Sequence, residues 1–328
     1  MSPFSLIAIL ILTFAFGYLN GTNGAGCIIA TVVSSRALKP RIALFLTILF
    51  ICAGPFLLGL AVVGSISVDL VRWDAVTTPV IIAALAGAVG WISLSSWLRL
   101  PCSTTQAFIG SLIGAVWAGF GTQAIIGHGV AKSLAALFLS PFLGILAGYV
   151  ISKLAYKLTS SATPRINTWF KSIQVPISLL VALSSGSNDG QKLMGILALG
   201  VAASSHSEFS VPIWAAAFAA VTMGVGTLLG SGRVSQTLGN RLYAVQPIHG
   251  FGAQTASGLV LLSASLLGSP VSGSQVIASA IVGAGTADRI HKVRWGMFRQ
   301  IFSAWVLTLP FSALVGAGIY LVISGMNL

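Results

Sequence analysis

Ser184-Ser185-Gly186-Ser187-Asn188-Asp189-Gly190 restates a cluster the chain has already used at Gly21-Thr22-Asn23-Gly24-Ala25-Gly26. The two asparagines lie 165 residues apart (188 − 23 = 165). Farther along each copy, Pro101-Cys102-Ser103-Thr104-Thr105-Gln106 returns as Pro270-Val271-Ser272-Gly273-Ser274-Gln275, an offset of 169 (270 − 101 = 169). Gly114-Ala115 returns as Gly283-Ala284, and Pro141-Phe142 as Pro310-Phe311, both at the same spacing. In a chain of 328 residues these offsets make each repeat one half of the protein. Internal duplication of an apolar chain, with small polar clusters at matching depths, is the pattern of secondary transporters.

Composition places the chain in a bilayer. Charged residues make up 7% and hydrophobic residues 56%, against roughly 25% charged in an ordinary soluble domain. Apolar runs cover 4–19, 42–68, 77–98, 107–131, 134–152, 209–231, 250–287 and 300–327. Several reach the roughly 20 residues that a spanning helix needs. The first run lacks a basic stretch before it and a small-residue cleavage site after it, so it reads as a mature helix. Cys27, Cys52 and Cys102 lie in or beside apolar segments and read as small packing residues rather than a disulfide framework. The net charge of +12 comes without an aromatic-basic stripe, which excludes a nucleic-acid partner; the lipid bilayer is the partner instead.

Topology follows from the cations. All of the 17 Lys and Arg residues except Arg72, Lys132 and Lys192 fall into five places: Arg36–Arg41, Arg99, Lys153–Lys171, Arg233 with Arg241, and Arg289–Arg299. The positive-inside rule makes these cytoplasmic. Five segments per half follow, at about 4–34, 42–65, 77–98, 103–120 and 133–152, then 173–203, 209–231, 250–268, 273–286 and 300–324. Loop charge alternates between counterpart loops: Arg36–Arg41 is basic, while 201–206 carries no Lys or Arg. The expectation is an all-α polytopic membrane protein of two inverted-topology repeats, with discontinuous helices or re-entrant hairpins. The repeats are 1–152 and 173–328, joined by a cytoplasmic linker at 153–172. Both termini face outward, and the membrane is a plasma or inner membrane.

The glycine-rich clusters break an apolar pattern, each glycine costing about 1 kcal/mol against Ala in a helix interior. They read either as breaks lining a cavity or as close-packing positions of a helix interface; the duplication favours breaks. Ser103-Thr104-Thr105 and Ser272-Gly273-Ser274 read as helix starts. Hydroxyls there can cap free N–H groups, or the N–H groups can hold an anion at the positive end of the helix dipole. Two such ends from inverted halves would face one another near the midplane, an arrangement suited to a tetrahedral oxyanion.

Of five acids, Asp69, Asp74, Asp189, Glu208 and Asp288, Asp189 alone sits inside a membrane motif, beside Asn188, Gln191 and Lys192. An intramembrane carboxylate is costly and by default functional. It can ligate a coupling cation, carry a proton, or accept from a protonated oxyanion; the structural alternative is an ion pair with Lys192. His128, His206, His249 and His291 fall at expected loop positions without metal-ligand spacing. A Walker-type loop is absent, so the chain reads as a carrier rather than an enzyme or a pump, without a cofactor.

These residues carry a resemblance. Gly21-Thr22-Asn23 with Ala30-Thr31-Val32-Val33-Ser34-Ser35-Arg36-Ala37-Leu38 resembles the first signature of the inorganic phosphate transporter (PiT) family, and Ser187-Asn188-Asp189-Gly190-Gln191-Lys192-Leu193-Met194-Gly195-Ile196 its second. Pro101–Thr105 and Val293-Arg294-Trp295-Gly296 also match family positions, and the similarity runs nearly the whole length. It implies uptake of inorganic phosphate coupled to a cation, Na+ or H+, with the anion held between paired Ser/Thr helix starts. Candidate anion-binding residues are Ser103, Thr104, Thr105, Gln106, Ser272, Gly273, Ser274, Gln275, Asn23 and Asn188. Candidates for the coupling ion are Asp189, Asn188, Asn23 and Gln191. Family members can associate as homodimers. The chain departs from the pattern at Gly24 (usually Asp), Cys27 (usually Asn), Gly273 (in place of Thr) and Gln254 (Glu in many members).

Near neutral pH phosphate keeps a P–OH donor and sulfate has none, so a carboxylate acceptor favours phosphate. Asp189 supplies one acceptor, which puts phosphate first and a sulfate or other tetrahedral-oxyanion permease of the same family second. A channel or a non-transporting sensor on the same fold is the reading from a different class.

Overall fold

The computed structural model describes residues 3–67, 69–98, 102–205, 209–237 and 245–325, with backbone only for 3, 205 and 231–237. Arg99, Pro101, His206, Glu208 and Arg241 lie outside the described residues. The first half contains α1 (Pro3–Ser34), α2 (Pro40–Leu57), the short α3 (Ala61–Ser67), α4 (Thr78–Trp97), α5 (Thr104–Phe120) and α6 (Gly127–Leu158). The second contains α7 (Ile166–Ser205), α8 (Ala215–Thr237), α9 (Pro247–Leu266), α10 (Gly273–Asp288) and α11 (Trp295–Gly325). Apart from α3, the element order repeats: α1 corresponds to α7, α2 to α8, α4 to α9, α5 to α10 and α6 to α11. Helix satisfies every backbone group inside its own segment, which the bilayer interior demands. Among the described residues six helices, α1, α2, α4, α6, α7 and α11, are long and apolar enough to span. Their exposed Leu146, Leu154, Leu314 and Leu321 present lipid-compatible surface.

The halves are inverted. Ser35 at the end of α1 donates to Gln174 Oε1 near the start of α7 at 2.8 Å, so the two long helices run antiparallel. α4 begins against the last turn of α7, where Thr78 Oγ1 donates to the Ala203 carbonyl at 3.2 Å. Its counterpart α9 begins at the opposite end, where Gln254 Nε2 donates to the Ile28 carbonyl at 3.2 Å. The chain outside helix between α6 and α7 is 159–165.

Two expectations change. The expected breaks at Gly21–Gly26 and Ser184–Gly190 are absent: α1 and α7 run unbroken through both clusters. Gly21, Gly186 and Gly190 are packing positions. A methyl on Gly21 would strike the Met223 carbonyl of α8, and one on Gly186 would strike the Ile51 carbonyl of α2. Small residues let backbones approach where no hydrophobic force drives helices together. Gly226 and Gly230 of α8 close on Tyr18 and Thr22 of α1 in the same way. The discontinuities lie instead between α4 and α5 and between α9 and α10. The segment expected at 42–65 also divides, because Pro55 and Gly59 (φ +80°) end α2 before α3 begins.

Partners are exchanged between halves. α1 packs along α8 and α7 along α2; α5 packs on α11 and α10 on α6. Gly114 of α5 meets the Ala313 carbonyl of α11, while its counterpart Gly283 of α10 meets the Ile145 carbonyl of α6. Neither half is a separate body.

Candidate functional site

The tips of the two helix pairs meet at mid-depth. Thr104 Oγ1, at the start of α5, donates to Asn20 Oδ1 at 2.6 Å, and Asn20 lies near the middle of α1. Thr105 is held by Lys192, past the midpoint of α7, whose Nζ donates to Thr105 Oγ1 at 2.9 Å. The start of α10 faces the same stretch of α7. A methyl on Gly273 would lie 2.8 Å from Ser185 Oγ and 3.9 Å from Asp189 Oδ2. Both pairs, α4–α5 and α9–α10, therefore enter and turn back as re-entrant hairpins.

The tips touch through the duplicated glutamines. Gln275 Nε2 donates to Gln106 Oε1 at 3.1 Å, across a separation of 169 residues. Among the described residues Gln106 Nε2 and Gln275 Oε1 remain buried without a partner, leaving one donor and one acceptor at the junction, where such groups are normally satisfied.

The two helix starts differ. Ser103 caps α5, accepting from Gln106 N at 3.3 Å. Ser272 makes no cap bond to α10; its hydroxyl lies 3.2 Å from that of Ser274. The leading amides of α10 are thus left uncapped by Ser272 while carrying the positive end of the helix dipole. Thr104 and Thr105 spend their hydroxyl protons inside the protein, on Asn20 and on the Val271 carbonyl at 3.4 Å.

Asp189 and Lys192 sit on α7 beneath both tips, 5% and 2% exposed. Lys192 Nζ donates to Asp189 Oδ1 at 2.7 Å and also to the Val271 carbonyl. The second carboxylate oxygen faces the space beside Gly24: a methyl there would lie 3.6 Å from Asp189 Oδ2 and 3.7 Å from Ser185 Oγ, ordinary contact distances. A side chain larger than a methyl at position 24 would fill that space.

Other candidates have structural work. Asn188 Nδ2 donates to the Ser269 carbonyl at 3.1 Å and its Oδ1 accepts from Val271 N at 3.4 Å, fixing the segment that leads into α10. Gln191 accepts from Val62 N at 2.7 Å and donates to Ser187 Oγ at 2.9 Å, tying α3 to α7. It is not brought to Asp189. Asn23 is half-buried, and among the described residues its side chain has no hydrogen-bond partner. Asn20, Ser185 and the Val271 carbonyl belong to the site and were missed. Asn20 immediately precedes a quoted motif and Ser185 and Val271 lie within two others, but nothing in their residue types sets them apart. His249 is not in a loop; it lies in the first turn of α9, buried, 2.5 Å from Tyr156 of α6.

With this geometry in place, the chain can be set beside known proteins. A sequence profile described as "Phosphate transporter family" matches residues 20–165 and again 155–316. A Rhizobium meliloti (strain 1021) protein named "Probable low-affinity inorganic phosphate transporter" is 34% identical over 318 residues, covering 96% of this chain and 95% of that protein. A Bacillus subtilis (strain 168) protein of the same name is 33% identical over 327 residues, covering 97% of each. A solved structure titled "The sodium-dependent phosphate transporter" superposes with a TM-score of 0.87 at 21% identity, covering 98% of this chain and 99% of the other.

Proposed function

Since the chain belongs to the phosphate transporter family, we propose that it is a permease for inorganic phosphate. It works as a secondary active carrier driven by a cation or proton gradient, with the anion held between the starts of α5 and α10. The meeting of Gln106 and Gln275 carries this reading, because it brings two duplicated helix starts from opposite halves to one point at mid-depth. Uncapped amides on α10 and the unpaired Gln106 Nε2 offer donors to a tetrahedral anion. The free oxygen of Asp189 offers an acceptor for the P–OH group that phosphate retains and sulfate lacks. The printed names of the two relatives support phosphate as the substrate class.

Purified protein in proteoliposomes is expected to take up labelled phosphate saturably and against its gradient, with sulfate excluded. Uptake that rises linearly with concentration would assign a channel, and preference for sulfate would assign the other oxyanion.

In the same reading the basic loops are cytoplasmic, which puts Arg36–Arg41 and the 159–165 link on that face and both termini outside. In a cysteine-free background, Lys39→Cys and Ile213→Cys are expected to react with an impermeant thiol reagent from opposite sides of the membrane. Labelling from one side would overturn this orientation.

A further inference from the structure

The surroundings of Lys192 describe a cation site that already holds its cation. An ammonium has three protons and no acceptor, and this one directs them to three oxygens on three parts of the fold. They are the Asp189 carboxylate of α7, the Thr105 hydroxyl of α5 and the Val271 carbonyl just before α10. A carboxylate, a hydroxyl and a carbonyl are the hard oxygen donors that also ligate a metal cation. Internal symmetry sharpens the point. At the repeat offset of 165, the α1 counterparts of Asp189 and Lys192 are Gly24 and Cys27, so both charges come from one half (189 − 165 = 24; 192 − 165 = 27). Cys27 is the titratable side chain on α1 that faces Asp189, and its thiol is given to the Asn23 carbonyl at 3.2 Å. One carboxylate and one ammonium leave the site neutral before any ion arrives.

We propose that Lys192 is the resident cation of the transport site, occupying with its ammonium the position an alkali ion would take among Asp189, Thr105 and Val271. Uptake by this chain then draws on protons and not on an alkali-ion gradient. The proposal rests on the phosphate-permease reading above and adds which ion drives it. It also gives the ammonium a positioning role, since the same three bonds draw both hairpin tips onto α7.

The test is phosphate uptake in proteoliposomes, with sodium, potassium or choline as the external cation and with or without an inside-alkaline pH gradient. The wild-type protein is expected to accumulate phosphate equally well in all three media and to respond to the pH gradient. Lys192→Met is expected to lose about 30-fold or more in choline, the scale of unpairing one member of a buried charge pair, and to recover in sodium or potassium as the ion enters the vacated position. Asp189→Asn/Lys192→Met, neutral at both positions, is expected to show no cation response. Wild-type uptake that collapses in choline overturns the proposal even if no variant reaches the membrane, and uptake that persists there sustains it. A Lys192→Met protein equally active in choline and sodium also overturns it. Absence of any phosphate uptake by the wild-type protein would instead count against the permease reading itself.

Discussion

Asp189→Asn is expected to abolish concentrative phosphate uptake while the protein still reaches the membrane. The substitution removes the charge at nearly constant volume and keeps an acceptor oxygen for Lys192, so the fold retains its contacts. It leaves a buried ammonium without its counter-charge, at a cost of about 3–5 kcal/mol when one partner of a buried pair is removed. It also replaces the free oxygen beside Gly24 with an amide of different hydrogen-bonding character. If that oxygen accepts the P–OH proton, a bond of about 1.5–3 kcal/mol is lost, equivalent to about 10- to 100-fold in discrimination against sulfate. Uptake and competition assays on one preparation separate the two effects. If the variant concentrates phosphate with unchanged ion dependence and selectivity, Asp189 only neutralises Lys192 and the coupling role falls.

Ser103→Trp and Ser272→Trp are each expected to eliminate transport. Both serines are buried, 0% and 4% exposed, and an indole at either helix start fills the space between the tips. The alanine variants should behave differently from the tryptophans and from one another. Ser103→Ala removes the cap on α5, worth about 1 kcal/mol, whereas Ser272 makes no cap bond and Ser272→Ala should leave thermal stability nearly unchanged. Neither alanine should cost more than the roughly 1–3 kcal/mol of one buried hydrogen bond in uptake, because the backbone amides proposed to hold the anion remain. Uptake by vesicles matched for protein content, with melting curves of the same samples, checks both contrasts. Normal transport by both tryptophan variants would move the anion site elsewhere.

The sequence made the duplicated framework legible because it is written in residue types. Paired Ser and Gln at a constant offset locate α5 and α10, and one carboxylate among long apolar runs locates the charged centre. What it could not convey is distance. Gly21–Gly26 and Gly186–Gly190 look like helix breaks in one dimension, but across the fold Gly21 is where α8 comes close, and Gly186 and Gly190 are where α2 does. The same composition serves both purposes, and only the neighbour decides. Depth was hidden for a similar reason: α5 and α10 are apolar like crossing helices, yet their starts are tied to the middle of α1 and α7. Asn20 escaped notice because its importance comes from Thr104, 84 residues away. Lys192 looked like a local partner of Asp189, three residues along one helix, and its bonds to two other elements carry no signature in the sequence.

The exchange of partners between halves bears on how the protein is made. Thr22 Oγ1 donates to the Gly226 carbonyl at 3.1 Å, and these residues leave the ribosome 204 positions apart. At a synthesis rate of about 5–20 residues per second, α1 waits about 10–40 s in the membrane before α8 exists. During that interval its small-residue face has only lipid or insertion machinery against it. The first half therefore emerges as an unfinished surface, and a chain truncated before α8 would present that surface to quality control. Assembly is therefore expected to complete only at the scale of the whole polypeptide, although each half of the sequence repeats the pattern of the other.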